Sequence, residues 1–136
     1  GRVDSSSHDL AKLTLSTAYK IAPVGFRRPR LGAPLFSVSY PEDRMTKKVK
    51  RAVTDGIVAA FYGKKYVRVT SPISPGSSGG GIWSPDGALL GLTVASFGFY
   101  NNAGKYTPYE GYYFVVSSEH LVVFLRNAHS KKSTAE

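Results

Sequence analysis

Pro75-Gly76-Ser77-Ser78-Gly79-Gly80-Gly81, near the middle of the chain, is a pair of serines enclosed by glycines. Glycine has no Cβ and takes positive-φ conformations that turn two or three successive peptide N–H groups toward one point. A serine hydroxyl beside such a nest is a candidate nucleophile. A carbonyl oxygen placed there is stabilised as it becomes an oxyanion, and losing one such donor typically costs about a hundred- to a thousand-fold in rate. Mixed serine and glycine is also the composition of a flexible linker. The flanks argue against a linker. Upstream, Tyr66-Val67-Arg68-Val69-Thr70 alternates and is rich in β-branched and aromatic side chains. Downstream, Ile82-Trp83, a Ser84-Pro85-Asp86-Gly87 turn and Ala88 to Phe97 read as a hairpin with a largely buried second strand. The glycine turn therefore lies inside a β domain, as an active-site loop does.

Gly76-Ser77-Ser78-Gly79-Gly80 resembles the G-x-S-G-G signature of chymotrypsin-like serine proteases. With Ser74-Pro75 before it, and Asp86-Gly87 and Leu90-Gly91 after it, the stretch is similar to the HtrA-type and viral branches. The register selects Ser78 as nucleophile, because Ser77 would need glycine at 75, where proline stands. The resemblance implies an oxyanion hole from the backbone N–H groups of Gly76 and Ser78. Gly81 departs from the many members that carry proline there.

Further segments extend the likeness. His8-Asp9-Leu10-Ala11-Lys12-Leu13 is similar to the strand start at which the family places its catalytic aspartate, which implies Asp9. Pro34 to Pro41 resembles the strand and G-Y-P-type turn that opens the second barrel, with Ser39 in place of the usual glycine. Ser96-Phe97-Gly98 resembles the edge strand that pairs with substrate backbone, and Gly111 to Ser118 resembles the last strand and helix entry of HtrA-type domains. These segments occur in family order between residues 9 and 127.

The resemblance implies an all-β fold, a chymotrypsin-like antiparallel β-barrel with the second barrel largely complete, the first truncated, and a C-terminal α-helix. Residues 1–16 become the end of the first barrel, 17–33 the connection, 34–129 the second barrel with nucleophile loop and helix, and 130–136 a tail. The implied activity is that of a serine endopeptidase acting on a polypeptide through a Ser-His-Asp triad, with polyprotein processing the role suggested by the viral branch.

One catalytic part is missing. The family draws its general-base histidine from the first barrel, well before the aspartate, and only eight residues precede Asp9. Adjacent residues on a strand face opposite ways, so His8 does not both donate to Asp9 and reach Ser78. His120 and His129 read as helix-start and tail imidazoles. Two explanations fit: a preceding segment or a second chain supplies the first barrel and the histidine, or the chain is a non-catalytic binding or scaffold module. The first is preferred, since Asp9 and Ser78 both stand in their local motifs.

Composition bounds the remainder. The 136 residues hold no cysteine, which rules out a disulfide framework and favours an intracellular or viral setting. No apolar run is long enough to span a membrane, and three scattered histidines suggest neither a metal site nor a cofactor. The net charge of +9 gathers at Arg27-Arg28-Pro29-Arg30, at Arg44 to Arg51 and at Lys131-Lys132. These loops suit nucleic acid or another acidic partner, or are simply solvated. No acidic residue lies between Lys64 and Ser78, so a carboxylate that selects Arg or Lys is not evident there, and Phe97 and Tyr112 favour an apolar or small substrate side chain.

Strand signals fall near 10–16, 34–40, 49–62 with a break at Asp55-Gly56, 64–70, 81–84, 88–98 and 111–116. Residues 99–110 read as a surface loop. Ser117 or Ser118 can cap a closing helix with Glu119 in its first turn and Leu121, Val122, Phe124 and Leu125 on its apolar face. Leu121 to Leu125 is also compatible with a terminal strand.

Overall fold

The computed structural model describes residues 2–7, 10–17, 20, 22–43, 45–48 and 50–130. Alternation along 66–69 puts Val67 and Val69 on one buried face, burial also alternates along 34–39 with Leu35, Ser37 and Ser39 inside, and the strands cover these faces by closing on themselves. Strands β3 (Pro34–Ser39), β4 (Ala52–Tyr62), β5 (Tyr66–Val69), β6 (Gly81–Trp83), β7 (Leu89–Tyr100) and β8 (Tyr106–Ser117) form a closed antiparallel barrel in the order β3-β4-β5-β8-β7-β6. Closure leaves the short strands β5 and β6 without a free edge. Ahead of the barrel, β1 (Arg2–Ser7) and β2 (Leu10–Thr14) make a separate two-stranded sheet, and helix α1 (Ser118–Ser130) follows it. The all-β class with an antiparallel barrel and a C-terminal helix is thus the one expected.

Two apolar clusters hold the parts together. Inside the barrel lie Leu35, Val58, Val67, Val69, Ile82, Leu90, Tyr113 and Val115. Outside it, Leu10 of β2, Leu89 of β7, Val116 of β8 and Leu121 of α1 form a second cluster, with Trp83, Leu92, Val94 and Phe124 packed against it. The second cluster brings β2 onto the outer face of the barrel beside β7. Helix α1 starts where Ser117 Oγ accepts the His120 N–H at 3.3 Å while donating to the Lys64 carbonyl at 2.6 Å. Capping of this kind satisfies one of the orphan donors of the first turn. The helix alternative is therefore the one realised, although Val123 faces solvent rather than the core.

The structure departs from the sequence-based expectations in three places. Strand β4 is not broken at Asp55-Gly56: Gly56 pairs with Leu35, and a Cβ there would fall 2.4 Å from the Ser71 nitrogen, so the glycine permits a close crossing rather than a turn. The 99–110 segment is mostly strand, because Phe99 and Tyr109 stack across the hairpin, as do Tyr100 and Tyr106. Its loop shrinks to 101–105, closed by Asn101 Oδ1 accepting from the Ala103 and Lys105 N–H groups. Strand β1 was not expected at all.

Candidate active site

The loop of residues 74–80 is two turns in series. Ser77 N–H donates to the Ser74 carbonyl at 3.0 Å, and Gly80 N–H donates to the Ser77 carbonyl at 2.9 Å. The third residue of each turn is a glycine at positive φ, Gly76 at 89° and Gly79 at 83°. Proline second and a left-handed glycine third is the type II arrangement, which explains Pro75-Gly76 from local sterics alone. The end of the loop is bonded to β7 through Thr93: Gly79 N–H donates to the Thr93 carbonyl at 2.8 Å and Thr93 N–H to the Gly80 carbonyl at 2.9 Å.

These bonds use the N–H groups of Ser77, Gly79 and Gly80. Among the described residues, no backbone carbonyl accepts from Gly76 or Ser78. Ser78 is exposed, and its Oγ donates to the Val94 carbonyl at 3.2 Å, whereas Ser77 is turned inward and is 2% exposed. Ser78 and Gly79 line a hollow of about 370 Å³ together with Leu10 and Ala11 of β2, Leu92, Thr93 and Val94 of β7, and Val116 of β8. Asp9 and His8 lie outside the described residues. The residue next in sequence after Asp9, Leu10, is in the lining of that hollow.

Ser96, Phe97 and Gly98 lie on β7 beyond its pairing with β6, which ends at Leu92. Among the described residues this stretch has a strand partner on one side alone, β8. The Ser96 carbonyl accepts the Tyr106 hydroxyl at 2.6 Å. Phe97 stacks edge-on against Phe114 at 4.4 Å between ring centroids. Both rings line a second hollow, of about 760 Å³, with Tyr62, Tyr66, Val94, Tyr109 and Tyr112. Val94 borders both hollows. Sequence reasoning singled out Phe97 and Tyr112 but missed Tyr62, Tyr66, Tyr109 and Phe114. A signal existed in the hairpin Tyr62-Gly63-Lys64-Lys65-Tyr66, whose terminal tyrosines are cross-strand partners and so share a face.

The basic segments are partly neutralised. Arg27 makes a bidentate bond to Asp86, at 2.6 and 2.5 Å, which together with the Ser84 hydroxyl holds the Asp86 carboxyl down at about 2. Arg28 pairs with Glu119 at 3.3 Å and Lys50 with Asp43 at 3.7 Å. Asp43 is also lowered, chiefly because its carboxylate accepts the Met45 and Thr46 N–H groups. Arg44, Lys131 and Lys132 lie outside the described residues. Among the described residues no group of metal-binding side chains occurs and no helix is long and apolar enough to cross a membrane.

The model of the trypsin-like peptidase domain family matches residues 2–92. The chain belongs to that family. None of the curated proteins is significantly similar in sequence. Among solved structures, a serine endoprotease from Yersinia pestis aligns with a TM-score of 0.65 at 19% identity, covering 87% of this chain and 38% of the other. The HtrA-type protease AlgW, in a structure with a decapeptide, aligns with a TM-score of 0.64 at 18% identity, covering 88% of this chain and 36% of the other. Identities this low establish a shared fold. The trypsin-like peptidase chain described here spans well under half the length of either.

Proposed function

We propose that this chain carries the nucleophile half of a serine endopeptidase whose general-base histidine lies outside it. Ser78 Oγ rotates away from the Val94 carbonyl, gives its proton to that imidazole and bonds to the scissile carbonyl carbon. The oxygen of the tetrahedral intermediate accepts from Gly76 and Ser78 N–H, the imidazole returns the proton to the departing amine, and an acyl-enzyme remains for water to release. Asp9 orients the imidazole and stabilises its charged form. The observation that carries this reading is the pair of N–H groups, at Gly76 and Ser78, that have no backbone acceptor among the described residues and lie beside an exposed hydroxyl. The approach of β2 supports it, since Leu10 lines the same hollow as Ser78.

Substrate backbone pairs with the open edge of β7 at Ser96, Phe97 and Gly98, and the aromatic hollow that shares Val94 with the Ser78 hollow favours a bulky apolar side chain on the acyl side of the scissile bond. Processing of a polyprotein is the finer form of this reading. For an acidic partner, nucleic acid included, the basic loops offer Arg30, Lys47, Lys48 and Arg51, which have no ion pair among the described residues, and Lys64 and Arg126, likewise unpaired among them, share a hollow. The test is hydrolysis of a peptide library by the complete protein, with and without Ser78→Ala. Cleavage after bulky apolar residues that vanishes in the variant is expected, whereas a folded, complete protein that cleaves nothing supports a non-catalytic module.

A further inference from the structure

Ser77 belongs to both turns of the nucleophile loop. It is the last residue of the first, through its N–H, and the first residue of the second, through its carbonyl. Its orientation therefore fixes the peptides on either side, including the one that carries the Ser78 N–H. What fixes Ser77 is a residue 38 positions earlier: the Ser39 hydroxyl donates to Ser77 Oγ at 3.1 Å. Both side chains are buried, at 6% and 2% exposure. Ser39 ends β3 and is held in the barrel by its pairing with Ala52.

The same segment touches the loop at both ends. A Cβ on Gly80 would lie 2.7 Å from Ser39 Cβ and 2.8 Å from the Val38 carbonyl oxygen. One on Gly76 would lie 3.0 Å from the Glu42 nitrogen, and Glu42 N–H donates to the Pro75 carbonyl at 3.3 Å. The stretch from Val38 to Glu42 is thus a cradle, and the serine pair is its buried polar tie.

We propose that Ser39 and Ser77 are positioning residues whose mutual hydrogen bond holds the two type II turns in register, so that the Gly76 and Ser78 N–H groups face one oxyanion. This role rests on the protease reading above. Neither residue touches the reacting atoms; the tie acts through the Ser78 peptide. It also gives a physical reason for serine at 39, where the family usually has glycine, and for serine at the variable position of the motif. In a buried site a hydroxyl that loses its partner is left unsatisfied, and the loop relaxes to recover a bond.

The test uses the complete protease and its Ser39→Ala, Ser77→Ala and doubly substituted forms, with Ser78→Ala as control. Each single substitution lowers kcat by about tenfold with KM little changed, since a misaligned oxyanion donor weakens the transition state and not substrate binding. The double variant is no slower than the slower single, because the pair acts as one unit. Unchanged kcat in both singles, or losses that multiply, overturn the proposal. A KM increase with constant kcat does so as well, since it marks a general structural role. Should one single variant fail to fold, the other carries the same kcat and KM readout. Activity that survives Ser78→Ala, or a complete protein without activity, refutes the protease reading itself and the positioning role with it.

Discussion

Replacing the loop glycines one at a time by alanine separates backbone strain from steric conflict. At Gly79 the added Cβ meets nothing within 4 Å, and φ is 83°, so the cost is that of a left-handed non-glycine residue alone, about 1–2 kcal/mol. At Gly76 the strain is similar, with φ at 89°, and the Cβ also presses the Glu42 nitrogen at 3.0 Å. That contact adds to the strain, for about 2–3 kcal/mol in total. At Gly80 φ is not left-handed, but the Cβ would meet Ser39 Cβ at 2.7 Å, the Val38 oxygen at 2.8 Å and the Ser77 oxygen at 2.9 Å. Two of these atoms are backbone and the third is a β-carbon, so none moves cheaply, and about 3 kcal/mol or more is expected. Trp83 is the single tryptophan and lies on β6 close to the loop. Urea unfolding followed by its fluorescence therefore ranks the three variants. The predicted order of loss is Gly80→Ala, then Gly76→Ala, then Gly79→Ala. Equal losses at 79 and 80, or no loss at either, would refute the two-turn geometry.

Other outcomes follow from the same coordinates. Leu35, 1% exposed at the centre of the barrel, should lose about 3–5 kcal/mol as Leu35→Ala by the same urea titration. Thr93 Oγ1 is buried without a hydrogen-bond partner among the described residues, so Thr93→Val should raise the unfolding free energy by about 1 kcal/mol; a loss of stability would show that the hydroxyl is satisfied. The Asp86 carboxyl is held at about 2 against an ordinary 3.8. Its folded value is depressed, so the stabilisation is present above the ordinary value and is lost as pH falls through the folded one. The melting-temperature gap between the protein and its Asp86→Asn variant should be open at pH 6 and close between about pH 4 and 2; a gap independent of pH would place the effect outside the Arg27 pair.

Local chemistry made much of this legible in advance. Pro75-Gly76 and Ser78-Gly79 announce left-handed glycines, and both are found at positive φ. Ser117-Ser118 announces a cap at one or other serine, and it is Ser117 whose Oγ accepts from His120. The misses share a cause, which is that contacts between distant residues override local signals. Ser5-Ser6-Ser7 has no apolar alternation, yet it forms a strand because β2 offers a partner. Asp55-Gly56 looks like a turn until the Ser71 backbone passes over it. The aromatic residues of 99–110 look like a loop until they stack in pairs across a hairpin. At the site, the serine of the motif was readable, but the Ser39 tie beneath it was not, since nothing local links positions so far apart. The Asp9 expectation rests on family likeness alone, and Asp9 lies outside the described residues.

The central claim is that the Gly76 and Ser78 N–H groups converge on one oxygen. The most direct measurement is a crystal structure of the complete protease inhibited by a peptidyl phosphonate. A bond from Ser78 Oγ to phosphorus is expected, with one phosphonyl oxygen about 2.7–3.1 Å from both nitrogens. An adduct on another residue, or an oxygen turned away from those amides, would contradict it.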